Sequence, residues 1–224
     1  MNKLIIFKLG FAQATLIQSS RGAVLVDTGI QAGTEKYERL MAGAQAKFTD
    51  IKLIIITHGH ADHYGEAALL KALTGAPVLC HAKAAGYLRT GKNAPVVPCN
   101  PLGQRVAKLL RQDVLAAVRP VEPDIVIDRE FDLGAYGPAG KIVLTPGHTE
   151  CSLSVVLESG QAVVGDLLVA NPFDGRPCMA YFAVSPQQAE DSVRRLLNCA
   201  QDFYSGHGGP FCRSGVADLI KGKQ

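Results

Sequence analysis

No apolar run in this chain of 224 residues approaches the ~18 residues a membrane-spanning helix requires, so no membrane partner is expected. The short stretch Leu4-Ile5-Ile6-Phe7 follows Lys3, but Lys8 breaks it before a signal-peptide core could form. The cytoplasm is therefore the expected location. Nor is there an excess of one charge. With 23 Lys and Arg against 20 Asp and Glu, the net charge of +3 is too small to imply nucleic-acid binding. The densest basic group, Arg105, Lys108 and Arg111, has the spacing of one solvated helix face. A Cys-x-x-Cys pair is also missing. Cys80, Cys99, Cys151, Cys178, Cys199 and Cys212 are far apart, which predicts free thiols and argues against a catalytic thiol.

What the chain does have is enough apolar material, 47%, to bury a substantial core. Its pattern predicts short strands over Leu4 to Leu9, Ala14 to Gln18 and Ala23 to Val26. A turn at Asp27-Thr28-Gly29, a helix over Thr34 to Lys47 and a strand over Lys52 to Ile56 follow. A helix over Glu66 to Leu73 and a strand over Val78 to Cys80 complete the first half. The stretch 82–123 carries Gly91, Pro95, Pro98 and Pro101 around a helix from Gly103 to Arg111, and it reads as an insertion of the kind that forms lids. Strands near Ile125 to Ile127, Lys141 to Leu144, Ser154 to Leu157 and Ala162 to Val164 come next. A helix over Pro186 to Leu197, a strand near Phe203 and a last helix over Gly215 to Lys221 end the chain. Residues 1–224 are thus expected to form a single α/β domain, two sheets face to face with helices outside and loops gathered along one edge.

Ligand-type residues recur where strands end. Leu53-Ile54-Ile55-Ile56 runs straight into Thr57-His58-Gly59-His60-Ala61-Asp62-His63. On extended backbone, residues two apart project to one side, so His58 and His60 can reach one ion. A turn then offers Asp62 and His63 to a second ion nearby. Four local ligands are too many for one open tetrahedral site and too few for two, and His148, Asp166 and His207 are the obvious distant suppliers. Each has a bland alternative. Asp62 could cap a helix, and His148 and Asp166 could be turn residues. His81 has no such neighbours and reads as a surface or helix-start residue. Asp27 reads either as a turn residue or as support for a metal-bound histidine.

Taken together, Thr57 to His63, Thr145-Pro146-Gly147-His148, Gly165-Asp166 and Ser205-Gly206-His207 resemble the signature of the metallo-β-lactamase superfamily, in family order. The resemblance implies a four-layer αββα sandwich of two mixed β-sheets flanked by helices, with metals at one edge. It further implies that His58, His60 and His148 hold one ion and Asp62, His63 and His207 a second. Asp166 would bridge the two, and a water between them would be the nucleophile. Asp62 is then also the catalytic candidate, orienting that water or relaying its proton.

Within the family, Asp166 stands where common lactamases carry Cys, which disfavours antibiotic hydrolysis. The chain ends soon after His207, without the helical domain that glyoxalase II enzymes add. His60 is intact where flavodiiron-type members have Glu, which favours two zinc ions over a di-iron redox centre, with iron or manganese as other candidates. The expectation is a hydrolase acting on a small ester, thioester or lactone; the alternative is a mononuclear iron persulfide dioxygenase of the same superfamily. The stretch 82–123 and the loop from Leu167 to Ala183 should wall the pocket. Tyr64, Arg89, Tyr136, Arg176 and Tyr181 lie in plausible segments and are the candidates to bind a carboxylate or orient a carbonyl of a small-molecule substrate. Family members are often dimers, which makes a homodimer the expected assembly if there is one.

Overall fold

A computed structural model describes residues 2–30, 32–109 and 117–222. The first sheet is built from β1 (Lys3–Leu9), β2 (Ala12–Ser19), β3 (Gly22–Val26), β4 (Ile51–Ile55), β5 (Val78–His81) and β6 (Ile125–Ile127), in that spatial order. Its first three strands form an antiparallel meander, and β3 to β6 are parallel. Parallel neighbours need crossovers. These are supplied by α1 (Gly33–Gly43), by α2 (Ala61–Tyr64) with α3 (Ala67–Thr74), and by α4 (Ala82–Thr90) with α5 (Pro101–Leu109).

The second sheet holds β7 (Phe131–Asp132), β8 (Gly140–Leu144), β9 (Leu153–Leu157), β10 (Gln161–Ala170), β11 (Pro177–Met179), β12 (Asp202–His207) and β13 (Phe211–Cys212). Its order is β13-β12-β10-β9-β8-β7, with β11 paired to β10, and only β10 and β12 run parallel. The crossover between that parallel pair is α6 (Pro186–Leu197), and α7 (Arg213–Lys221) follows β13.

The alternation of side chains along each strand sorts them into layers. Along β3 and β4, Ala23, Leu25 and Ile54 face the core under the first helices, with Tyr37 of α1, Leu70 of α3 and Leu88 of α4. Val24, Val26, Leu53 and Ile55 face the opposite way, against Ile142, Leu153, Val155 and Val163 of the second sheet. Val156, Val164 and Leu168 then meet Val193 and Leu196 of α6 and Val216 and Ile220 of α7. The result is the four-layer αββα sandwich of two mixed sheets.

Three details differ from the sequence pattern. The 82–123 stretch is not uniform: Ala84, Ala85 and Leu88 of α4 belong to the first core, so α4 is part of a helical layer. The helix expected over Gly103 to Arg111 spans Pro101–Leu109; Arg111, and residues 110–116 with it, lie outside the described residues. Third, β10 does not end at Val164. Gly165, at φ 53°, allows a bulge where the register with β12 shifts, and the strand continues to Ala170. Asp166 therefore sits in mid-strand beside the bulge.

Candidate metal centre

The edge where β4, β10 and β12 end gathers the ligand-type residues. Beyond β4 the chain bends at His58 and Gly59, is extended again at His60 (φ −84°, ψ 141°), then turns into α2, whose first turn carries Asp62 and His63. The loop between β8 and β9 brings His148, β10 brings Asp166 and the end of β12 brings His207. Three groups of donor atoms lie within 4.8 Å: His58, His60 and His148; His58, His63 and Asp166; Asp62, His63 and His207. All seven predicted ligand positions are thus brought together, and five of them are buried.

The hydrogen bonds fix which nitrogen of each ring faces inward. Thr57 Oγ1 donates to Asp27 Oδ2 (2.7 Å), so at 3.0 Å it can only accept from His58 Nδ1–H. His60 Nε2–H faces the Pro95 carbonyl (3.3 Å), and His148 Nδ1–H donates to the Phe182 carbonyl (2.7 Å). His58 Nε2, His60 Nδ1 and His148 Nε2 are then bare lone pairs, yet they stand 3.0–3.2 Å apart. Three buried lone pairs at that distance repel unless a cation sits among them. Nitrogens around a tetrahedral ion with bonds of about 2.0–2.1 Å would be about 3.3 Å apart, close to what is seen.

The second group tells the same story in charge. His63 Nδ1–H donates to Asp27 Oδ2 (2.8 Å) and His207 Nδ1–H to the Phe11 carbonyl (2.8 Å), which turns both Nε2 atoms toward Asp62 and Asp166. His207 Nε2 is 3.3 Å from Asp62 and 3.2 Å from Asp166. His63 Nε2 and Asp166 Oδ1 face each other at 3.3 Å, and both are buried without a hydrogen-bond partner. Buried polar atoms are rarely left so. A divalent cation would satisfy both.

Burial and neighbouring imidazoles hold the His58 and His60 rings below the usual histidine value, His60 down to about 4, and burial also lowers His148. These three are neutral and ready to ligate at neutral pH. Burial would lower His207 too, but Asp166 and Asp62 overcome it and raise the ring to about 10. Likewise burial alone would raise Asp166 and Asp62, and the facing histidines pull both below the usual carboxylate range, Asp62 to about 2. This half of the site calls for positive charge.

Beside the cluster lies a cleft of about 230 Å³ lined by His60, Asp62, His148, Asp166 and His207 on one side. Of the five expected substrate contacts, Tyr181 lines this cleft and the others lie elsewhere. Tyr64 is fully buried, donating to the carbonyls of Lys92 (2.6 Å) and Tyr87 (3.2 Å), and so pins the chain after α4. Arg89 is paired with Glu122 (2.9 Å) at the solvent face of α4. Tyr136 packs between the sheets near Phe131. Arg176 is exposed at the turn after β10, 3.7 Å from Asp174. His81 starts α4, its ring accepting from the Lys83 N–H (3.0 Å). Phe11 and Asn93, neither singled out by the sequence, do line the cleft. Phe11 follows Gly10 (φ 76°) in the β1–β2 turn, where an exposed aromatic is the one cue available. Asn93 carries no cue of its own. Among the described residues no helix is long and apolar enough to cross a membrane.

Residues 8–207 match the sequence profile of the metallo-beta-lactamase superfamily. The chain is 27% identical over 215 residues to the probable metallo-hydrolase YflN of Bacillus subtilis, across 84% of this chain and 75% of that protein. It is 28% identical over 207 residues to human metallo-beta-lactamase domain-containing protein 1, across 90% of this chain but only 64% of that protein's length. Among solved structures, an archaeal metallo-beta-lactamase superfamily protein from Sulfolobus tokodaii shares the fold. It has a TM-score of 0.72 at 20% identity, covering 99% of this chain and 86% of that one.

Proposed function

The chain belongs to the metallo-beta-lactamase superfamily, and from that premise we propose that it is a metal-dependent hydrolase with two zinc ions. Its substrate on this proposal is a small ester, thioester or lactone. The observation that carries the proposal is the facing pair His63 Nε2 and Asp166 Oδ1, buried, unpartnered and 3.3 Å apart. Asp166 lies between the three-histidine triangle and the Asp62–His63–His207 group, where one carboxylate can serve both. Its second oxygen is 3.8 Å from His148 and 3.2 Å from His207.

In this proposal His58, His60 and His148 hold one ion, Asp62, His63 and His207 the other, and Asp166 bridges them. Such ions supply Lewis acidity toward a carbonyl oxygen and lower the pKa of a water at the site. The residues around them supply orientation. Asp27, Phe11 O and Phe182 O each accept the outer N–H of a candidate ligand histidine, which fixes its tautomer and ring plane. Asp62, on the first turn of α2 and lining the cleft, would orient the attacking water and pass its proton to the leaving group. The second group, with two histidines and two carboxylates, favours two ions over the single iron of a persulfide dioxygenase.

The test is metal analysis of the purified protein, with hydrolysis of a panel of thioesters, lactones and phosphodiesters before and after chelation. About two equivalents of metal and chelator-sensitive hydrolysis of the carbonyl substrates are expected. One equivalent, or turnover that chelation leaves untouched, would sink the proposal.

A further inference from the structure

We infer that the cleft beside the metal centre selects an uncharged acyl group, binding the acyl chain of its substrate on an apolar wall and discriminating against substrates with a carboxylate there. This rests on the hydrolase proposed above. The apolar wall, which adjoins the metal edge, is made by Phe11 of the β1–β2 turn, Val96, Val106 of α5, Val169 and Ala170 of β10, and Phe182. Among the described residues no Lys or Arg lines it. The two arginines expected from the sequence to bind a carboxylate, Arg89 and Arg176, are paired with Glu122 and Asp174 away from the cleft. Its charged side chains are all candidate metal ligands, so beyond the metal edge an anionic group would lose its hydration and gain no partner. An alkyl chain would lose only its contact with water, which is favourable.

Two polar side chains remain on the wall, and both are neutral. Asn93 Oδ1 accepts from the Ala61 N–H (2.7 Å), which leaves the amide NH2 as donor. The Tyr181 hydroxyl stands 3.3 Å from Cys178 Sγ, whose single proton also faces the Val169 carbonyl at 3.4 Å. Neutral donors suit a carbonyl or hydroxyl oxygen. A cleft of about 230 Å³ has room for roughly seven groups of water size, at about 30 Å³ each. That limits the chain to about six to eight carbons.

The experiment uses the zinc-loaded full chain and two series. One is p-nitrophenyl acetate, butanoate, hexanoate and octanoate, with mono-p-nitrophenyl adipate as the hexanoate analogue ending in a carboxylate. The other is the matching hydroxamates, whose binding is read by calorimetry and needs no turnover. The expected result is a rise in kcat/KM and in hydroxamate affinity of about fourfold per methylene up to hexanoate, then a plateau. The adipate forms should fall at least tenfold below the hexanoate forms. Chelator-sensitive hydrolysis without chain-length grading, or with the adipate ester preferred, would overturn the inference and leave the hydrolase standing. If no ester or other carbonyl substrate turned over, the hydrolase proposal would fail. The hydroxamates would still decide the wall, with grading supporting it and a flat series overturning it. Val106→Lys places a cation on the wall without touching a candidate ligand. It should lower hexanoate and raise adipate turnover while metal content stays constant, and an unchanged preference would count against the assignment.

Discussion

Asp27 accepts the Nδ1–H of His63 at 2.8 Å from a backbone that few non-glycine residues adopt, with φ at 62°. Its carboxylate over-determines that conformation. Oδ1 takes the Thr57 N–H (2.8 Å), and Oδ2 takes both Thr57 Oγ1 (2.7 Å) and His63. One strained turn at the end of β3 therefore orients Thr57, the second residue after β4, through it the ring of His58, and the ring of His63. Strain of this kind persists only where the surroundings hold it.

Asp27→Asn tests the relationship. An amide can still accept from Thr57, but it cannot accept both remaining donors, and its NH2 would face the His63 Nδ1–H. His63 then loses the partner that fixes its tautomer. We expect affinity for the second ion to fall about 10- to 100-fold, while the three-histidine site, which Asp27 reaches only through Thr57, weakens less. Stepwise metal titration followed by calorimetry reads both; equal weakening of the two sites would contradict the assignment.

Gly206 sits so close to the same ring that a Cβ there would lie 2.4 Å from His63 Cε1 and 2.5 Å from Asp166 Oδ1. The backbone has little freedom to yield, because Ser205 Oγ donates to the Leu168 carbonyl and accepts from the His207 N–H. Gly206→Ala should displace His63 or Asp166, lose the second ion and destabilise the fold by about 1–3 kcal/mol. A variant that kept two equivalents of metal with wild-type affinity would show that the crowding is relieved elsewhere.

The ligand positions were legible because imidazoles and carboxylates at strand exits are conspicuous residue types. The layers were legible because β3, β4 and β9 are near-continuous apolar runs, the pattern of strands buried on both faces. What orients the ligands was not. The acceptors for His60, His148 and His207 are the backbone carbonyls of Pro95, Phe182 and Phe11, and a carbonyl is the same atom in every residue. Tyr64 and Arg89 have side chains suited to a pocket, but tertiary packing gave one to the core and the other to Glu122. The bulge at Gly165 escaped notice because a glycine after three apolar residues reads as a strand's end, whereas here it carries the strand past Thr57.

Asp124 offers a test of how the first sheet is tied to its helices. Its carboxylate accepts from Lys71 Nζ of α3 (2.8 Å) and from the Val78 N–H at the start of β5 (2.8 Å). Burial opposes ionisation slightly, but these partners hold the carboxyl below its ordinary value. A depressed carboxyl adds stability that is present above its unfolded pKa, near 3.9, and is lost as pH falls through the folded value. The side chain is 39% exposed, so solvent discounts the ion pair. Asp124→Asn should cost roughly 0.5–1 kcal/mol at pH 7 in urea unfolding, and the gap to wild type should close as pH falls below about 4. A gap that stayed constant down to pH 3 would mean that charge plays no part.

Phe11 separates what a backbone does from what a side chain does. Its carbonyl accepts the His207 Nδ1–H at 2.8 Å, while its ring lies parallel to the imidazole at 5.8 Å and forms one wall of the cleft, still 56% exposed. Phe11→Ala keeps the carbonyl, so the orientation of His207 and the two-metal stoichiometry should survive. Losing the ring removes apolar surface that an acyl chain would cover, about 0.8 kcal/mol or about fourfold per methylene, and that loss should fall on substrate binding. We therefore expect a higher KM for hexanoate than for acetate esters relative to wild type, with kcat little changed and metal content intact. Loss of metal in Phe11→Ala would assign the ring, not the carbonyl, to holding His207. An unchanged KM would remove Phe11 from the wall.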